Sequence, residues 1–153
     1  MRAETERLVR ESWAQFQPIA VRSAEFFYDK LFELDPDARP LFSATDMEAQ
    51  GHKVMAMFAE IVRLLDQPEE LVSEVADLGR RHVYYGVQDS QYDSVGTALL
   101  WTLEQGLGRA FTPEVRDAWT EAYLLVSTIA RRATTREHEA RRATTREHEV
   151  RPK

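Results

Sequence analysis

The sequence predicts an all-α fold, and three observations carry that prediction. Apolar residues recur three and four positions apart along most of the chain, and no stretch alternates apolar with polar as a half-buried strand would. The prolines fall between the periodic stretches, where helices start or stop.

Leu8, Val9, Trp13 and Phe16 form a first amphipathic stretch that stops near Pro18, and Val21, Ala24, Tyr28 and Leu31 line one face of a second. Pro36 and Pro40 in DPDARPLF, residues 35–42, predict a tight corner. A third helix is expected from about Met47 to Leu65, with Gln50, Val54, Met57, Ile61 and Leu65 on one stripe. Pro68 followed by Glu69 and Glu70 reads as the first turn of a fourth helix: proline lacks an amide proton that this position does not use, and carboxylates suit the positive end of the helix dipole. Leu71, Val75, Leu78, His82 and Tyr85 share its stripe until Gly86. A fifth helix covers about Gln91 to Leu107, and Thr112-Pro113-Glu114 caps a sixth that carries Trp119, Tyr123 and Val126.

A length of 153 residues suits one compact domain. With no cysteine, disulfides, thiolate metal sites and thiol nucleophiles are excluded, so a metal must be held by histidine or carboxylate. No apolar run has the length of a bilayer span, and the charged start MRAETERLVRESW is unlike a signal peptide, so a cytoplasmic protein is expected. The net charge of −6 is unevenly spread: residues 1–130 hold 12 basic and 22 acidic side chains, residues 131–153 hold 8 and 4. An acidic body argues against nucleic-acid binding, which needs a basic face.

The end of the chain differs in kind, because ARRATTREHE at 130–139 is repeated letter for letter at 140–149. With no large apolar residue between Arg131 and Glu149, this segment is expected to bury no face of its own. The division is therefore a folded domain at 1–130 and a charged repeat tail at 131–153, either a frayed helical extension or disordered.

Four histidines are present, His52, His82, His138 and His148, and only His82 lies on the apolar stripe of a helix in the body. A histidine so positioned is more often a satisfied core residue than a ligand, so its context must decide. That context, DLGRRHVYYGVQDSQYDSVGTALLWTLEQGLGRAFTPEVRDAWTEAY at 77–123, resembles the second half of single-domain globins, especially bacterial haemoglobins and the neuroglobin branch. FFYDKLFELDPDARPLF at 26–42 is similar to the helix and corner before the distal helix of bacterial globins, and the likeness covers about residues 6–130.

The resemblance implies a three-over-three helical sandwich around haem b. His82 matches the proximal iron ligand, its other ring nitrogen expected on a carbonyl near Leu78. Phe42 matches the corner phenylalanine that stacks on the porphyrin, Tyr28 the distal tyrosine, and Gln50 the distal residue, with Val54 one turn on. Lys53 and Arg81 flank the expected pocket and could meet the haem propionates, although each such residue is more often just a solvated charge. His52 competes with Gln50 for the distal place, but two positions on a helix are about 200° apart, so only one can face inward. His52 shares its face with Lys53, Glu60 and Arg63 and reads as a surface residue. Flavohaemoglobins pair the proximal histidine with a tyrosine and a glutamate; Tyr92 matches the tyrosine, but the glutamate's place falls at about Thr134, so the carboxylate is missing.

The function implied is reversible binding of O2, NO and CO by a monomer or homodimer. Nitric oxide dioxygenation would need an external reductase. A second class of function is a gas sensor or interaction module that signals through the basic tail, and a third is a globin-shaped protein without haem. Truncation after about Ala130 is expected to leave gas binding unaltered.

Overall fold

A computed structural model describes residues 1–150, with side chains through residue 147; His148 of the tail lies outside the described side chains. Among the described residues there are six α-helices and no strand: α1 (Ala3–Phe16), α2 (Ala20–Leu34), α3 (Met47–Arg63), α4 (Pro68–Tyr85), α5 (Asp89–Leu107) and α6 (Pro113–Val150). Short 3-10 turns join several of them, including the proline corner Pro36–Phe42. The helices pack as the three-over-three sandwich, with α1, α3 and α4 over α2, α5 and α6. No helix is long and apolar enough to cross a membrane among the described residues.

Local chemistry sets the boundaries that position the site. Asp46 caps α3 by accepting the amides of Glu48 and Ala49 at 3.0 and 3.3 Å. Pro68 opens α4 as expected, and α4 stops at Gly86, whose φ of 81° is the left-handed conformation that only glycine adopts without strain. Gln88 and Gln91 form a reciprocal capping box that starts α5 two residues earlier than the sequence suggested. Thr112 accepts the Val115 amide at 3.2 Å and starts α6.

Two stripes differ from expectation at one residue each. Val21 is exposed on α2, whose buried face runs through Ala20, Ala24, Phe27, Tyr28 and Leu31. Tyr85 is exposed at the end of α4, where the inward positions fall to Gly79 and Val83.

The close helix crossings depend on missing side chains. A Cβ on Gly51 would stand 2.9 Å from the Ala24 Cβ, so α2 and α3 approach closely there. A Cβ on Gly79 would run into the backbone of Ala130, which lets α4 and α6 cross almost backbone to backbone. This second crossing carries α6 through the expected boundary at 130 without a break, and Ala130, Ala133 and Thr134 are 2%, 6% and 7% exposed. The expectation that this segment buries nothing rested on its lack of large apolar residues. Small residues bury a face equally well where a glycine brings the partner helix close.

Candidate functional site

An apolar cavity opens between α3, α4, α5 and α6, with Met57, Ile61 and Leu65 on the α3 side and Leu78 and His82 on the α4 side. The later part of the stripe read from the sequence, Met57, Ile61 and Leu65, therefore lines the cavity with His82, whereas Gln50 and Val54 do not. Deeper in, Leu99 and Val126 close it from α5 and α6.

His82 is half-buried, and its pKa is pushed down to about 4, first by desolvation and then by the neighbouring Arg81 charge, so the imidazole is neutral at pH 7. Its Nδ1 lies 3.1 Å from the Tyr92 hydroxyl, not on the carbonyl near Leu78 that was expected. The reason is that α5 brings an aromatic hydroxyl directly beside the ring, their centroids 5.6 Å apart. Tyr92 is buried, which raises its pKa, and its hydroxyl lies 3.0 Å from Thr134 Oγ1. Thr134 in turn lies 3.1 Å from the Gly79 carbonyl and 2.9 Å from the Ala130 carbonyl. Two further groups hold Tyr92: the Tyr123 hydroxyl donates to its backbone carbonyl, and the Arg131 guanidinium lies over its ring at 5.6 Å while pairing with Asp93 at 2.6 Å.

The second cluster sits where α2, α3 and the proline corner meet. Gln50 Nε2 donates to the Tyr28 hydroxyl at 3.0 Å. Tyr28 is buried, and burial raises its pKa against the opposing effect of that hydrogen bond. Its ring meets Phe42 edge-on at 5.3 Å and Phe27 at 5.1 Å, which fixes its direction. Because Gln50 occupies an acceptor position of the hydroxyl, the single Tyr28 proton is left to donate elsewhere.

Tyr28, Gln50 and Phe42 are thus brought together, with Val54 buried one turn along α3, and His82 and Tyr92 form a separate pair at the cavity, whose lining includes none of those four. Lys53 and Arg81 are exposed; Arg81 lies in a shallow groove between α4 and α6 with Tyr84 and Glu137. His52 is exposed, on the outer face of α3. Thr134 and Gly79 are the site residues that sequence reasoning missed as contributors. Their signal was present in the small residues at 130, 133 and 134, spaced to share one helix face.

The donor set decides which metal group the cavity can hold. Among the described residues no three of His, Asp and Glu gather as a metal site. His82 is one neutral imidazole at an apolar cavity, with its Nδ1 engaged by hydrogen bonding. A single nitrogen ligand suits a metal whose remaining positions a macrocycle fills, so the residues fit a haem.

These features define an all-α sandwich with one histidine at an apolar cavity and a separate tyrosine–glutamine pair. A family model described as Globin matches residues 25–129, and the chain belongs to the globin family. It is 34% identical over 117 residues to a flavohemoprotein of Xylella fastidiosa (strain Temecula1), an alignment covering 74% of this chain and 29% of that protein. The chain therefore spans less than a third of that relative's length. It is 31% identical to a neuroglobin of Chaenocephalus aceratus, over 78% of this chain and 83% of that one. With a neuroglobin of Tetraodon nigroviridis it shares 29% identity over 90% and 94% of the two chains. Among solved structures, a hexacoordinated heme protein from an anhydrobiotic tardigrade, at pH 4, has the same fold, with a TM-score of 0.80 at 19% identity over 88% of this chain and 96% of that one.

Proposed function

We propose that this chain is a haem b protein that reversibly binds dioxygen and related diatomic gases, in the manner of bacterial single-domain haemoglobins and neuroglobins. The observation that supports the reading is His82 at the cavity wall with Nδ1 tied to Tyr92, an arrangement that suits Nε2 to hold iron. When bound, the haem supplies the metal centre at which the gas is held.

The protein's own part lies in the surroundings. Helix α4 fixes the imidazole, and burial keeps it neutral and its lone pair available. The apolar walls from α3, α5 and α6 keep water out. Tyr28, with Gln50 already donating to its oxygen, offers a proton to the partial negative charge that dioxygen acquires on binding. Phe42 holds the Tyr28 ring and is the side chain assigned to the porphyrin face. Lys53 and Arg81 are the exposed cations assigned to the propionates.

Turnover of nitric oxide to nitrate is a further activity of this reading, and it needs a separate reductase to return the iron to the ferrous state. Tyr92 ends on the neutral Thr134 hydroxyl instead of a carboxylate, which favours gas binding over catalysis.

The test is reconstitution with haem. The wild-type protein is expected to take up one equivalent with an imidazole-ligated spectrum, and His82→Ala to lose that spectrum; tight haem binding by His82→Ala with an unchanged spectrum would refute the assignment. Tyr28→Phe is expected to speed oxygen release in stopped-flow mixing about ten- to a hundredfold, from about 1.5–3 kcal/mol for a hydrogen bond to a charged group. An unchanged rate removes Tyr28 from the role.

A further inference from the structure

The chain of hydrogen bonds behind His82 has a direction, and its far end sets it. Thr134 Oγ1 lies within 3.1 Å of two carbonyl oxygens, those of Gly79 and Ala130. Carbonyl oxygens only accept, and two oxygens this close repel unless a proton lies between them. The Thr134 proton is therefore committed toward the carbonyls, and the Thr134 oxygen receives the Tyr92 proton across 3.0 Å. With its own proton given away, the Tyr92 oxygen accepts from Nδ1–H of His82 across 3.1 Å. The ring proton is then on Nδ1, and the lone pair is on Nε2.

We propose that Thr134 is a positioning residue for the iron ligand: through Tyr92 it selects the tautomer of His82 that can bind a metal, and it strengthens Nε2 as a donor. Run in reverse, with Thr134 donating to Tyr92 and Tyr92 to Nδ1, the relay would put the proton on Nε2 and block ligation. The side chain that prevents this belongs to the first copy of the duplicated segment, outside the expected 1–130 domain. Gly79 is the other half of the device, since a Cβ there would strike the Ala130 backbone and push α6, with Thr134, away from Tyr92. The inference rests on the haem-binding reading above.

The test uses full-length, haem-loaded ferrous protein and reads the iron–imidazole stretch by resonance Raman, together with the rate of haem loss to an excess haem-scavenging protein. Thr134→Val keeps the shape and removes the hydroxyl. It is expected to move the stretch to lower wavenumber and speed haem loss about tenfold, the usual effect of losing a hydrogen-bond partner behind a metal ligand. Thr134→Ser keeps the hydroxyl and is expected to restore both values; Thr144→Val, the same letter in the second copy, is expected to leave both unchanged. If Thr134→Val does not fold, Tyr92→Phe cuts the relay at its middle and is expected to give the same downshift. Wild-type stretch and haem loss in whichever of the two variants folds would overturn the proposal. Wild-type protein that takes up no haem, or whose stretch survives His82→Ala, would instead overturn the haem-binding reading and this proposal with it.

Discussion

Residues 130–139 and 140–149 have the same letters and opposite surroundings. In the first copy Ala130, Ala133 and Thr134 are buried, Thr134 reaches Tyr92 on α5, and Arg131 pairs with Asp93. In the second copy residues 140–147 are exposed, and the Thr144 hydroxyl turns back to its own helix at the Ala140 carbonyl, 3.0 Å away. Among the described side chains, it reaches the body at Arg141, stacked over Tyr84 of α4 at 3.9 Å. The difference lies in the partner: α4 offers Gly79 to the first copy, and beyond Tyr85 there is no more of α4 to offer. Identical sequence therefore takes its role from the element it meets, and low complexity is no measure of burial.

The largest effect should come from cutting before the two copies, set against a cut between them. Truncation after Ala130 removes the acceptor of the buried Tyr92 hydroxyl, the Arg131 pair and the α4 contact, and is expected to cost about 2–4 kcal/mol in urea unfolding. It is also expected to disturb gas binding, contrary to the sequence reading. Truncation after Glu139 should cost less than about 1 kcal/mol. Equal losses from the two cuts would abolish the contrast.

A matched pair of substitutions sharpens it. Ala133→Leu overfills the α4–α6 crossing and is expected to lower stability by about 1–3 kcal/mol, whereas Ala143→Leu stays within about 0.5 kcal/mol.

The first copy also helps to bury His82, which gives a pH signature in haem-free protein. The folded pKa of about 4 lies below the ordinary histidine value of 6.5, so the unfolded chain binds the proton first. Stability is full above pH 6.5 and falls as pH drops toward 4, by about 2 kcal/mol after discounting for partial exposure. The slope over that window should flatten in the chain cut after Ala130 and persist in the chain cut after Glu139. Smallest of all, Arg141→Ala is expected to cost about 0.5 kcal/mol, the size of an exposed cation–ring contact.

Most of the helical frame was legible because proline, glycine and capping residues act locally: Pro68, Gly86 and Thr112-Pro113 mark real boundaries. The outward direction of His52 followed from helical angles, while the hydrogen bond between Gln50 and Tyr28, two residues named by resemblance, was not foreseen. What the sequence could not supply was the partner across a crossing. The Tyr92 hydroxyl displaced the expected Leu78 carbonyl because α5, turning back after Gly86, arrives beside His82. Thr134 was read as the absence of a glutamate, since only the meeting of α4 and α6 turns a small hydroxyl into the end of a relay.

Helix α6 has 38 residues, which at 1.5 Å per residue makes it about 57 Å long. A compact body of about 130 residues is roughly 36 Å across. The final turns thus project as a thin spar, stiffened by contacts such as Arg141 with Glu137 at 3.7 Å. Hydrodynamic drag follows from that outline: the molecule should sediment more slowly and reorient more sluggishly than a ball of 17.7 kDa.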